Sequence, residues 1–258
     1  MIRYLILLFV LTSRVGRAEE FRELEFLRMY QPDEININSL AYDTFTNNML
    51  LWQKQFLTEY NAYSNDLEQL LEKRPDNTVS LLGNFLYLIY WGDYYYYKFD
   101  DKNIDARDKY IEAFELGLKY DQSQLICESL KRILDMNRYS YLVDNISGQY
   151  YLEMYSKYAY DTHELAQLSY YKLILGFQYF KTDGWDLTLV DDLLRYADKG
   201  ENKVLNTRIF QLMYSYYDFN RQFDQAIYYA NKAFVELDQI GYAHKSTLKM
   251  ISQIDLLR

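Results

Sequence analysis

The chain has 258 residues, a mass of 31.3 kDa and a formal net charge of −9, with half of its residues apolar and a quarter charged. Two prolines and nine glycines exclude collagen-like and low-complexity material and argue against an all-β fold, which needs frequent turns. One cysteine excludes an intramolecular disulfide framework and a multi-cysteine zinc site, and the absence of a basic stripe argues against nucleic acid as a partner.

Residues 1–18 read as a secretory signal peptide. Arg3 supplies the positive start, Tyr4 to Leu11 the apolar stretch, and Gly16 and Ala18 the small residues that place cleavage after Ala18. Eight apolar residues cover only ~12 Å of helix, against a hydrocarbon core of ~30 Å. The mature chain is therefore expected to be periplasmic or secreted, without a transmembrane segment. An uncleaved N-terminal anchor is the alternative, because Arg14 and Arg17 lie near the cleavage site. No cysteine follows the apolar stretch, which argues against a lipoprotein signal.

Residues 19–78 read as an N-terminal helical cap region. One helix runs through Leu50, Leu51, Trp52 and Phe56, and another through Leu67, Leu70 and Leu71. Pro75 cannot occupy a helix interior, so Arg74 to Asn77 form a break, with Asp76, Asn77 or Thr78 free to cap the next helix. The apolar period is helical from there on: Phe85, Leu86, Ile89, Tyr90 and Tyr94, then Tyr110, Ile111, Phe114 and Leu118, then Leu125, Leu130, Ile133 and Leu134. The run Tyr94 to Tyr97 favours a strand by composition but sits inside this pattern, and it reads as helix. Further breaks are expected at Asp100 to Asn103, Asn145 to Gly148, Lys181 to Gly184 and Lys199 to Asn202. Asp161 to Glu164 look like a capped helix start. An apolar helical pattern begins again near Thr247 and runs to the end of the chain, which is what truncation of a longer protein looks like.

These breaks leave antiparallel helix pairs, and the pairs repeat. In the last, Phe210, Met213, Tyr214 and Tyr217 are followed by Phe223, Ala226, Ala230 and Ala233. Leu88, Trp91, Gly92 and Tyr95 with Ala106, Tyr110 and Ala113 are spaced in a similar way. So are Leu175, Gly176 and Tyr179 with Val190, Leu194 and Ala197. The spacing leaves room for a degenerate pair at about 122–160. Small residues such as Ala226 allow close backbone approach at a helix crossing, and Tyr217 needs a flat partner surface.

This pattern resembles the tetratricopeptide repeat, over roughly residues 80–240. The resemblance implies an all-α fold, an α-solenoid of antiparallel helix pairs in a right-handed superhelical array, with repeats over 79–258. The proline expected after the second helix is absent, Tyr214 replaces a small residue, and units fall near 40 residues apart.

The sequence holds no phosphate-binding loop, no G-x-S-x-G elbow and no H-E-x-x-H. His163 and His244 are far apart in sequence, and Cys127 lies at an apolar spacing that reads as a buried thiol. The expected protein is non-enzymatic, with no catalytic, metal or cofactor-binding residues and no cofactor. The resemblance places a concave binding groove on the first helix of each pair. Its residues here are Tyr96 and Tyr97, then Tyr170, Leu173, Phe177 and Phe180, then Arg208, Gln211 and Phe219, with Ser215 and Asp218 beside them. An aromatic-lined groove suits an extended peptide or a partner helix, so the expected function is an exported protein-binding scaffold. Two other readings are the helical N-terminal region of a larger caspase-like protease, kinase or sensor, and a glycan-binding helical protein associated with an outer membrane.

Overall fold

The structure, a computed structural model, describes residues 42–58, 65–74, 79–98, 102–139, 145–179, 186–200 and 202–240. Every regular element among them is helical. In chain order these are α1 (Thr44–Thr58), α2 (Asn65–Glu72), α3 (Leu81–Lys98), α4 (Asn103–Lys119), α5 (Ser123–Tyr139), α6 (Asn145–Tyr158), α7 (Thr162–Tyr179), α8 (Leu187–Asp198), α9 (Lys203–Phe219) and α10 (Phe223–Ile240). The tyrosine run is helical, within α3. The expected break at Asn145 to Gly148 is instead the first turn of α6. Asp76 to Thr78, Lys181 to Gly184, the signal segment and the segment after Ile240 lie outside the described residues.

Extensive packing joins only helices that are one or two apart in the chain. Each helix packs on its successor. The odd-numbered helices also meet across the intervening one, α1 with α3, α5 with α7, and α7 with α9. The odd-numbered helices start at residues 44, 81, 123, 162 and 203, intervals of 37, 42, 39 and 41. The pair expected at about 122–160 is α5 with α6.

Local chemistry fixes the helix ends. The Asp43 carboxylate accepts from the Thr46 amide at 2.9 Å and the Thr46 hydroxyl at 2.6 Å, capping α1. The same carboxylate accepts from the Ser80 amide at 3.0 Å, and Ser80 Oγ accepts from the Gly83 amide at 3.0 Å, capping α3. One aspartate therefore ties together the starts of two first helices. Asp161 caps α7 through the Glu164 amide at 2.7 Å, and Asn202 caps α9 through the Leu205 amide at 2.9 Å.

The turns α4–α5 and α9–α10 are alike. Asp121 and Arg221 take the left-handed conformation, with φ 51° and 58°. Gln122 and Gln222 then donate back to the carbonyls of Gly117 and Tyr217 at 3.0 and 2.8 Å. This is the Schellman ending, made here without the usual glycine.

Small residues set the close crossings. A Cβ on Gly92 would stand 2.3 Å from the Tyr110 ring, so α3 and α4 need glycine there. In α10, Ala226, Ala230 and Ala233 are fully buried. Tyr217 on α9 finds its flat partner in Tyr229, with ring centroids 5.4 Å apart and planes 2° from parallel. Phe223, expected at a packing position, is exposed instead. It begins the helix, so only its backbone is pinned by the turn.

α5 is enclosed on every side: each residue from Leu125 to Lys131 is buried, almost two full turns. Cys127 is among them, its thiol 3.4 Å from the Tyr158 carbonyl.

Ala226→Leu should force α10 off α9 and cost about 1–3 kcal/mol, read as a lowered urea midpoint. Gln225→Leu, at an exposed neighbour, should stay within about 0.5 kcal/mol. Equal effects would mean that the crossing does not lie at Ala226. A second outcome concerns pH. Burial raises the Asp43 pKa, but hydrogen bonds from Thr46 and Ser80 outweigh it and hold the carboxyl below its ordinary 3.8. A lowered pKa stabilises the fold above pH 3.8, and that stabilisation is lost as pH falls through the folded value. Asp43→Ala should therefore cost up to about 2 kcal/mol at pH 7, and the gap from the native chain should narrow below pH 3.8.

Candidate functional site

The first helices carry charged side chains on the faces where they meet. Asp93 of α3 accepts from Tyr110 Oη of α4 at 2.7 Å and from Arg132 Nε of α5 at 3.2 Å. Arg132 also holds Glu128, one turn away, at 2.7 Å. Lys131 Nζ stands 2.7 Å from Glu128 and 3.4 Å from Glu164 of α7. Tyr155 Oη of α6 donates to the other Glu164 oxygen at 2.5 Å. Tyr171 Oη of α7 lies 3.1 Å from the Lys131 carbonyl and 2.9 Å from Asp135. Arg208 of α9 reaches both Asp135 oxygens, at 3.3 and 3.2 Å. The result is a polar seam from α3 to α9.

The seam is mostly dry. Glu164 has no exposed surface, and Lys131 is 6% exposed. Asp93, Glu128, Asp135 and Glu164 face Lys131, Arg132 and Arg208, four carboxylates against three cations. Burial raises the Asp93 pKa by more than Arg132 and Tyr110 hold it down. Burial also drives the Tyr155 and Tyr171 phenols well above their ordinary value, with Glu164 and Asp135 adding to it. Both phenols stay protonated donors at neutral pH. Their chemistry here is to satisfy carboxylates.

A second polar contact ties the starts of α7 and α9 to the end of α8. His163 Nδ1 lies 2.9 Å from Tyr196 Oη and 3.4 Å from Asn202 Nδ2. Among the described residues, no group of three or more His, Cys, Asp or Glu side chains is placed to hold a metal ion. No helix of the described residues is long and apolar enough to cross a membrane.

The residues expected in a groove separate into three sets. Tyr170 and Leu173 are buried, with the Tyr170 ring edge-on to Tyr171 at 5.5 Å, so they are part of the core and do not line an open surface. α7 packs on α5, α6, α8 and α9, which leaves little of it free to face a ligand. The side chains of Tyr97, Phe177 and Phe180 lie outside the described residues. Tyr96 and Gln211 are half-buried, and Phe219 is 72% exposed. Arg208 is half-buried, its guanidinium in the seam. Gln211, Ser215 and Phe219 follow one another at four-residue steps and form an open stripe along α9.

Apart from Arg208, the sequence reading singled out none of the seam residues as functional. Their signal was present: Glu128, Lys131 and Arg132 interrupt a helix whose remaining positions from Leu125 to Leu134 are apolar except for Ser129. Charges at such positions must be paired inside the fold.

No family model, curated protein or solved structure matches this chain.

Lys131→Met should leave Glu128 and Glu164 buried without their shared cation. Removing one partner of a buried ion pair typically costs about 3–5 kcal/mol. The exposed control Lys172→Met on α7 should change stability by less than about 0.5 kcal/mol. Urea unfolding of the two variants side by side checks this, and similar midpoints would count against the seam.

Proposed function

We propose that this chain is an exported α-solenoid of the tetratricopeptide type that acts as a non-enzymatic scaffold for a peptide or a partner helix. The observation that carries the reading is the connectivity. Extensive contacts stay between helices one or two apart in the chain, and first helices recur every 37 to 42 residues. Stacks of helix pairs in which each unit packs mainly on its neighbours have this arrangement, here with the Arg208–Asp135 pair reaching further, from α9 to α5, and they present one long surface built from the first helices. Export rests on the signal segment, residues 1–18, with cleavage after Ala18.

The binding surface is proposed at Tyr96 on α3 and along Gln211, Ser215 and Phe219 on α9, where first-helix side chains remain open to solvent. An exposed aromatic beside hydroxyl and amide groups suits a peptide that offers both an apolar side chain and its backbone. Arg208 stands at the edge of this stripe but is engaged with Asp135, so its role is to hold α9 against α5.

Peptides selected from a random display library against the purified chain test the proposal. They should compete for one surface and lose at least ten-fold in affinity to the double variant Gln211→Ala, Phe219→Ser. Tyr228→Ser, on an exposed face of α10, should bind as the native chain does. Failure to select any peptide, or equal binding to all three proteins, would contradict the scaffold reading.

A further inference from the structure

α10 packs extensively on α9 alone among the described residues. Ala226, Tyr229, Ala230 and Ala233 face α9 and are buried. Of the seven exposed residues described on this helix, four are large and apolar, the others being Asp224, Gln225 and Asn231. Phe223, Tyr228, Phe234 and Val235 are all exposed, and Ile227 is half-buried beside them. On a helical wheel Phe223, Ile227 and Phe234 form one apolar stripe beside Ala230, while Val235 and Tyr228 lie further round, past the exposed Asp224 and Asn231, with Gln225 beyond them.

We propose that this face of α10 is the docking surface for residues 247–257 of the same chain. Three observations select that occupant. The first is spacing: first helices begin at 44, 81, 123, 162 and 203, so the next falls at about 240–245 by the same intervals, just before Thr247. Gly241 follows Ile240 directly, a residue type suited to ending a helix. The second is pattern: Leu248, Ile251, Ile254 and Leu257 recur at three-residue steps, with Lys249, Ser252 and Gln253 between them, giving one apolar stripe of matching character.

The third is size. At roughly 200 Å² for an aromatic side chain, four half-exposed residues offer about 400 Å². A stable dimer needs about 800 Å² from each partner. An eleven-residue segment of three turns, ~16 Å long, needs much less when it is tethered by residues 241–246. A short tether holds its local concentration in the millimolar range. A second copy of the chain has no such advantage. The inference rests on helix spacing and the α10 face and does not depend on the proposed peptide surface.

Thiol labelling of the full chain tests it, since the lone native Cys127 is buried. Phe234→Cys should react with a maleimide at least ten-fold more slowly than Gln225→Cys. Adding Ile251→Asp and Ile254→Asp should bring the two rates within about two-fold. Circular dichroism of each variant should show unchanged helix content. Equal rates at positions 225 and 234 in the otherwise native chain would overturn the proposal. So would protection that survives the two aspartates, and protection that then grows with protein concentration would assign the face to a second copy.

Discussion

Lys131, held between Glu128 on its own helix and Glu164 on α7, sits in the stretch of α5 from Leu125 to Lys131 in which every residue is buried. α5 is buried on all sides, and its neighbours α4, α6 and α7 can close around it only if its charges are answered. A buried ammonium without partners would cost several kcal/mol. With two carboxylates in reach it fixes how α7 lies on α5, because a slip of one helical turn would separate the ions by ~5.4 Å. Apolar contacts alone tolerate such slips better than ion pairs do. The seam that runs from Asp93 to Arg208 therefore specifies register along a stack whose hydrophobic contacts are repetitive.

The tyrosine content has a physical reason in the same seam. Tyr110 donates to Asp93 and Tyr155 to Glu164, and Tyr171 lies in reach of Asp135. All three rings are buried. Each brings a large apolar surface to a helix crossing and delivers one donor to a carboxylate that would otherwise be short of one. Phenylalanine would fill the same space and leave the carboxylate wanting. Elsewhere the rings stack on each other, as with Tyr217 on Tyr229 and Trp91 on Tyr95, the latter pair 5.2 Å apart. Aromatic excess here serves packing between helices before it serves any ligand.

Helix content and pairing were legible in the sequence because they rest on local period and breakers. Leu125, Leu130, Ile133 and Leu134 mark α5 by spacing alone, and Ala226, Ala230 and Ala233 mark the α10 crossing. Asn145 misled because asparagine and glycine suit turns in general, while the actual helix start depends on its neighbours. Surface exposure was much less legible. Tyr170 and Phe219 look equivalent as aromatics on a first helix, yet α5, α6, α8 and α9 surround the helix of one, while the other, the last residue of α9, is largely exposed. The charge seam was hidden for a related reason: Asp93 and Arg132 are 39 residues apart in sequence, and only the folded stack brings them together.

The central claim is that α5 and its charges form the keystone of the stack. Native-state hydrogen exchange tests it directly. Amides of Leu125 to Ile133 should exchange only through global unfolding, with the highest protection in the chain, while those of α10, which among the described residues packs extensively on α9 alone, should open at lower free energy. If α5 amides exchange as fast as those of α10, the stack does not depend on α5, and the account fails.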